Sequence, residues 1–220
     1  MDMKNYGFIR TAAAVPVVKV ADVTHNVDQI CRLAGEASDK EASLVVFPKL
    51  SLTGATCGDL FGNSLLIKAA EEGVKQIAEF SNGKDLTIVV GAPVKYANHL
   101  YNTSVIINNG TVKGIVPKSL INTIENRWFT SGANAPSEVI PYAGGFCTMS
   151  PDMIFSIGSV EFAVELGEDI WAPVPPSSHH VLQGAHIIVN LSADKEVLMR
   201  NEYRKDLLKV HSARTLCGYV

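Results

Sequence analysis

Apolar positions along the chain fall into short blocks with two different periods. A stretch around residues 7 to 14 reads as a strand, and from about His25 to Ala37 the pattern changes to a helix with Val27, Ile30, Leu33 and Ala34 on one face. LVVFP at 44 to 48 is too short for a helix and is stopped by Pro48, which leaves Lys49 at the carboxyl end of a buried strand. A second helix is predicted over Gly62 to Phe80, with Leu65, Ile67, Ala70, Val74, Ile77 and Ala78 as its core stripe and SNGK at 81 to 84 as its stop. TIVVGAPV (87 to 94), LYNTSVIINNG (100 to 110) and TVKGIVPK (111 to 118) read as three strands, the last two joined by an Asn109-Gly110 hairpin.

Residues 119 to 152 carry Gly132, Pro136, Pro141, Gly144 and Gly145, a composition of loop and short strands rather than of a linker. Beyond them, residues 160 to 166 alternate as a half-buried strand should, and Gly167 sits where the chain turns sharply toward Glu168 and Asp169. HIIVNLSA (186 to 193) is another buried strand. Residues 199 to 220 start as a charged amphipathic helix and end in the strand-like LCGYV, without a polar tail, as a truncated domain would. Strands, helices and hairpins mixed in this order predict an α/β layered architecture. Strand ends such as those before Lys49 and Gly167 are where α/β enzymes mount ligands and reactive side chains. A glycine there can neither attack a carbonyl nor hold a proton.

With 220 residues and 47% hydrophobic composition, the chain is long enough for one core, and a single domain over residues 1 to 220 is expected. A net charge of −3 with acids and bases interspersed offers no basic field for nucleic acid. The amino terminus has no signal-peptide core, and no apolar run approaches the ~20 residues that cross a bilayer, so a cytoplasmic protein without a membrane partner is expected. Cys31, Cys57, Cys147 and Cys217 lack CxxC spacing, which argues for reduced thiols and against a disulfide framework or a zinc site. His179 and His180 are adjacent and so point apart; with no third ligand, neither a metal nor a cofactor is predicted.

Several stretches resemble the nitrilase, or carbon–nitrogen hydrolase, superfamily. They are LVVFPKLSLTGATCGDLF (44 to 61), GIVPKSL (114 to 120), RWFTSG (127 to 132), VELGEDIWAPVPPS (164 to 177), HIIVNLSA (186 to 193) and HSARTLCGYV (211 to 220). TCGDLF, RWF, DIWAPVPPS and SARTLCGYV are most similar to the amino-terminal glutaminase domain of glutamine-dependent NAD synthetases. The resemblance implies a four-layer αββα sandwich and glutamine hydrolysis that feeds ammonia to a synthetase domain. It implies a cysteine that attacks the amide carbon, a glutamate that shuttles protons and a lysine that stabilises the oxyanion.

Carried over position by position, the lysine falls on Lys118, the glutamate on Lys49 and the cysteine on Gly167. Glu125 matches an accessory acid, and Glu168 and Ser192 fall at substrate-binding positions, with Ser177 and Ser178 near the same pocket wall. Serines in such turns are also common helix caps, and Glu168 and Asp169 are equally suited to the positive end of a short helix. Two close lysines at 49 and 118 need acidic partners, for which Glu125, Glu165 and Glu168 are candidates. No SGGxDS-type phosphate loop occurs, so the ATP-using synthetase domain is absent from this sequence. The expectation is a pseudoenzyme, inactive as a glutaminase, that pairs with like chains or with a separate synthetase subunit and whose pocket takes glutamine, a small amide or an anion. Three alternatives stand beside it: a non-catalytic binding or assembly domain, an amide hydrolase using Cys57 or Cys147, and an altered product of an intact parent gene.

Overall fold

The computed structural model describes residues 8–220. The first position of the strand expected from residue 7, and most of the amino-terminal segment read for a signal peptide, lie outside the described residues. Fifteen regular elements follow in the order β1 (Thr11–Ala13), α1 (Val23–Asp39), β2 (Leu44–Val46), α2 (Ser64–Ser81), β3 (Thr87–Tyr96), β4 (His99–Asn108), β5 (Thr111–Pro117), β6 (Glu138–Tyr142), β7 (Gly145–Met149), β8 (Ile154–Ile157), β9 (Val160–Leu166), α3 (Pro176–Leu182), β10 (Ile187–Leu191), α4 (Arg200–Thr215) and β11 (Gly218–Tyr219). Short 3-10 turns at Gly58–Gly62, Glu125–Arg127 and Gly167–Trp171 lie between them. None of the described helices is long and apolar enough to cross a membrane.

The strands make two mixed sheets, one ordered β1-β2-β3-β4-β5-β7-β6 and the other β11-β10-β9-β8. Period-two alternation explains how they stack. Leu44 and Val46 of β2, Val89 of β3, Ile106 of β4 and Val116 of β5 meet Phe162, Val164 and Leu166 of β9 and Ile187, Val189 and Leu191 of β10 between the sheets. The intervening Val45, Ile88 and Val90 point to the opposite face, where Ile30 of α1 and Val74 and Ile77 of α2 cover them. Ala163 and Ile188 face outward on the second sheet against Ala185, Cys217 and Val181 of α3. The result is the expected αββα sandwich. Each fully buried Leu, Ile or Val contributes about 1.5–3 kcal/mol, so these apolar layers rather than any ion pairs hold the fold together.

Three details depart from the sequence expectation. Leu65 is 74% exposed and Leu66 takes its place in the core. The helix starts at Ser64, capped by the Asn63 side chain that accepts from Leu65 N, and its inward stripe runs through Leu66, Ala70, Val74, Ile77 and Ala78. The strand ending at Leu166 is buried on both faces from Phe162 onward, because Val181 of α3, Ala185, Cys217 and Tyr219 pack on the side that alternation alone would leave wet. The helix α4 is charged but scarcely amphipathic, burying only His211. The hairpin turn is as predicted, with Asn109 and Gly110 both at positive φ. All four cysteines are free.

Candidate functional site

Lys49 follows β2 by three residues, and its backbone lies against β3 because residue 91 is glycine. A Cβ at 91 would stand 2.2 Å from Leu50 N, and in its absence Leu52 N donates to Gly91 O and Gly91 N to Ser51 Oγ. Lys118 follows β5, its N–H donating to Asn102 O at 2.8 Å. Gly167 follows β9 in the second sheet, at φ +51°. The three positions assigned by resemblance therefore converge from three strand ends.

Five ionic side chains meet there. Lys49 Nζ donates to Asp194 Oδ1 at 3.1 Å and Glu125 Oε1 at 3.4 Å. Lys118 Nζ donates to Glu125 Oε2, and Glu168 Oε2 lies 3.5 Å from the same ammonium. Glu125 thus bridges both lysines and also accepts from Asn102 Nδ2. The side chains of Lys49, Lys118 and Asp194 are 7%, 0% and 4% exposed. Two ammonium groups against three carboxylates leave one formal negative charge in excess. Burial disfavours the Lys49 ammonium, but Glu125 and Asp194 outweigh it and hold its pKa above the ordinary lysine value. Lys49 is therefore a cation at neutral pH, neither a base nor an amine nucleophile.

Position 167 is closed by this cluster. A Cβ built on Gly167 would stand 3.0 Å from Lys49 Nζ and 3.4 Å from Asp194 Oδ1, so the ammonium stands where a side chain would project. The elbow itself is held from behind. Gly167 O accepts from Asn190 Nδ2 at 3.1 Å, and Asn190 also donates to Tyr219 Oη at 2.9 Å. Tyr219 in turn donates to Glu165, whose other oxygen accepts from Ser177 N at 3.0 Å. Burial and Glu165 push the Tyr219 phenol far up, which keeps it a donor. Asp169 accepts from Leu166 N and from Ser119 N and Leu120 N just past Lys118, tying the two strand ends together. Burial raises its pKa to about 6 against the opposing pull of those N–H groups.

A cavity of about 470 Å³ opens over the cluster, walled by Leu50, Phe61, Ile124, Trp128 and Phe129, with Lys195 and Arg200 also lining it. Lys49, Glu125, Glu168 and Asp194 line it, whereas Ser192 does not; the chain reaches the cavity through Ala193 and Asp194 instead. Ser177 is buried and pairs with His211 Nε2 at 2.9 Å, away from the cavity. Glu165 pairs with neither lysine, because it faces Tyr219 and α3. None of the four cysteines lines the cavity: Cys57 Sγ donates to Thr53 O, and burial pushes the Cys147 thiol up to about 11. Thr56 and Thr123 do line it, but neither hydroxyl is hydrogen-bonded to a carboxylate of the cluster. Asp194 escaped the sequence reading, although its place just past β10 obeys the same strand-end rule that singled out Lys49.

An αββα sandwich whose strand ends converge on one cavity is the architecture of the nitrilase-fold class. Residues 10–214 match the carbon-nitrogen hydrolase family, and the chain belongs to it. It is 34% identical over 221 residues to a glutamine-dependent NAD(+) synthetase of Mycobacterium leprae, covering 97% of this chain and 32% of that protein. The corresponding synthetase of Aquifex aeolicus is 27% identical over 202 residues, covering 90% of this chain and 32% of its own length. The chain thus spans about a third of the length of these relatives. The crystal structure of a glutamine-dependent NAD(+) synthetase from Cytophaga hutchinsonii superposes with a TM-score of 0.85 at 26% identity, covering 96% of this chain and 35% of that one. An amidase from Nesterenkonia sp. AN1 shares the fold, with a TM-score of 0.71 at 18% identity over 96% of this chain and 76% of its own.

Proposed function

We propose that this chain is a carbon–nitrogen hydrolase domain of the NAD synthetase glutaminase type that keeps an amide-sized pocket and has lost the hydrolytic step. The observation that carries this reading is the Lys49 ammonium standing against Gly167. Covalent amide hydrolysis needs a nucleophile that forms the acyl intermediate and a base that takes its proton. Gly167 supplies no attacking atom, and Lys49 at the base position holds its proton. Loss of acid–base assistance alone costs about 10²–10⁴-fold, and loss of the nucleophile removes the covalent route. Lys118 keeps its place as an oxyanion stabiliser, but Glu125 and Glu168 already occupy its charge. Glutamine as the ligand, a separate synthetase subunit as the partner and pairing of like chains belong to the same proposal.

The test is ammonia release from glutamine by the chain and by its Lys49→Glu/Gly167→Cys variant in one assay, with mass spectrometry after exposure to an electrophilic glutamine analogue. The unmodified chain is expected to release no ammonia and to carry no adduct, and the double variant to regain at least adduct formation. Ammonia release by the unmodified chain, or a stoichiometric adduct on Cys57 or Cys147, would overturn the reading. A folded double variant that stays inert would mean that the pocket itself is gone.

A further inference from the structure

One side chain seats α4 on the rest of the molecule. His211 is the only buried residue of that helix, at 3% exposure. Its Nε2 lies 2.9 Å from Ser177 Oγ of α3, its ring stands edge-on to Tyr219 of β11 at 6.1 Å, and its Nδ1 lies 3.3 Å from Arg214 Nη2. A guanidinium only donates, so Nδ1 is the acceptor there and the ring proton sits on Nε2, donating to Ser177. The neutral ring therefore meets both partners, and a second proton would have to enter at Nδ1, against Arg214. Burial disfavours the charged ring as well and outweighs the pull of Glu165 on β9, which together with Arg214 holds the His211 pKa below the ordinary histidine value. Glu165 is itself committed to Tyr219, Asn190 and Ser177 N. Among the described residues the other buried histidine is His180 of α3, 1% exposed, which burial keeps neutral against the Pro151 backbone, Glu165 and Asp152, with His179 beside it.

The far end of α4 shapes the cavity. Arg200 lines it with its guanidinium 4.9 Å over Trp171, and Tyr203 stacks on the same ring at 5.4 Å. These contacts begin about 16 Å along the helix from His211, and the residues between are exposed or half-buried. A helix with so little buried surface belongs to the low-stability end of a fold and can open by itself. We propose that His211 is an acid-sensitive latch: a second proton on its ring breaks the contact with Arg214 and lifts α4 from α3 and β11, which opens the Arg200 side of the cavity. Since the seated ring resists the proton, the latch is closed above about pH 6.5, the ordinary histidine value, and loosens as pH falls below it. Each pH unit below that value weakens the seating by up to about tenfold, until the seated ring itself titrates. The latch acts whether or not the cavity hydrolyses what it binds.

The test is hydrogen–deuterium exchange of the whole chain at about pH 7.5 and about pH 5.5, corrected for the intrinsic rate, beside heteronuclear NMR of the histidine rings. Amides of α4 are expected to open about tenfold more often at the lower pH, while those of α1 and α2 keep their protection. His211→Gln, whose amide can bond Ser177 but does not titrate, should abolish this response, and His180→Leu should leave it in place. In the unmodified chain His211 should carry its proton on Nε2 at the higher pH and titrate below 6.5. Equal protection of α4 at both pH values, or loss of protection from all helices together, would overturn the proposal. So would an undiminished response in a folded His211→Gln, a response abolished by His180→Leu, or a His211 ring protonated on Nδ1 or titrating at 6.5 or above. Should either variant fail to fold, the tautomer and midpoint of His211 in the unmodified chain decide.

Discussion

Lys49 shows how one side chain sets the terms for its neighbours. With the ammonium in place, Glu125 and Asp194 are neutralised in a site that admits little water. Replacing it by glutamate leaves one ammonium, that of Lys118, among four carboxylates. Removing one partner from a buried ion pair typically costs about 3–5 kcal/mol, and like charge adds to that. Lys49→Glu alone is therefore expected to destabilise the fold by at least about 3 kcal/mol at pH 7. Chemical denaturation of the single variant beside the unmodified chain checks it. An unchanged midpoint would mean that the cluster is solvated and the pairs contribute nothing. Lys49, Lys118 and Gly167 were legible in the sequence because each follows a short apolar run. Asp194 was not: its partner lies 145 residues away, and no local pattern marks a carboxylate as one that will fold back onto a lysine.

At the level of elements, the site depends on how closely the segment after β2 can approach β3. Gly91 sets that distance. Gly91→Ala would drive a methyl group into the Lys49–Leu50 peptide, and overpacking of this kind costs about 1–3 kcal/mol while shifting Lys49 off its acids. Gly145→Ala is the control, since a Cβ there meets nothing within 4 Å. Thermal melting should therefore separate the two alanine variants, and equal melting temperatures would show that the β2–β3 approach is slack. The first two helices and the hairpin could be read from periodicity and turn chemistry, whereas the short α3 was not read. The phase of α2 could not, because Leu65 and Leu66 are equally apolar and only the start set by Asn63 chooses between them. Arg200 was hidden for a related reason: α4 carries charge on all sides, so its sequence does not tell which arginine faces a cavity.

Across the whole molecule, Asp169 is the tie between the sheets, since its carboxylate gathers N–H groups from beyond β5 in one and from the end of β9 in the other. Its pKa of about 6 in the fold lies above the ordinary 3.8, so the folded state favours the protonated form. The stability this provides is complete below about pH 4 and is lost as pH rises through 6. At ~1.4 kcal/mol per pH unit, Asp169→Asn should gain about 2–3 kcal/mol relative to the unmodified chain between pH 4 and pH 7. Parallel stability profiles would show that Asp169 does not titrate in that window. The sandwich was legible because alternating blocks dictate layers. The mutual placement of the sheets was not, because it depends on inward faces such as Leu44, Val89 and Phe162 whose partners lie far along the chain.

The contact between position 49 and position 167 also restricts the paths that lead through sequence space to and from this protein. From the present sequence, restoring a side chain at 167 first sets a Cβ against an ammonium at 3.0 Å, in a backbone conformation that costs a non-glycine residue about 1–2 kcal/mol. Restoring glutamate at 49 first leaves the site with four acids and one base. Both single steps lead downhill in stability, and the joint step relieves the contact with the ammonium but keeps the excess of acids around Lys118. Under the proposed loss of hydrolysis, Lys49 and Gly167 act as a ratchet: once both are present, one-at-a-time change works against a return.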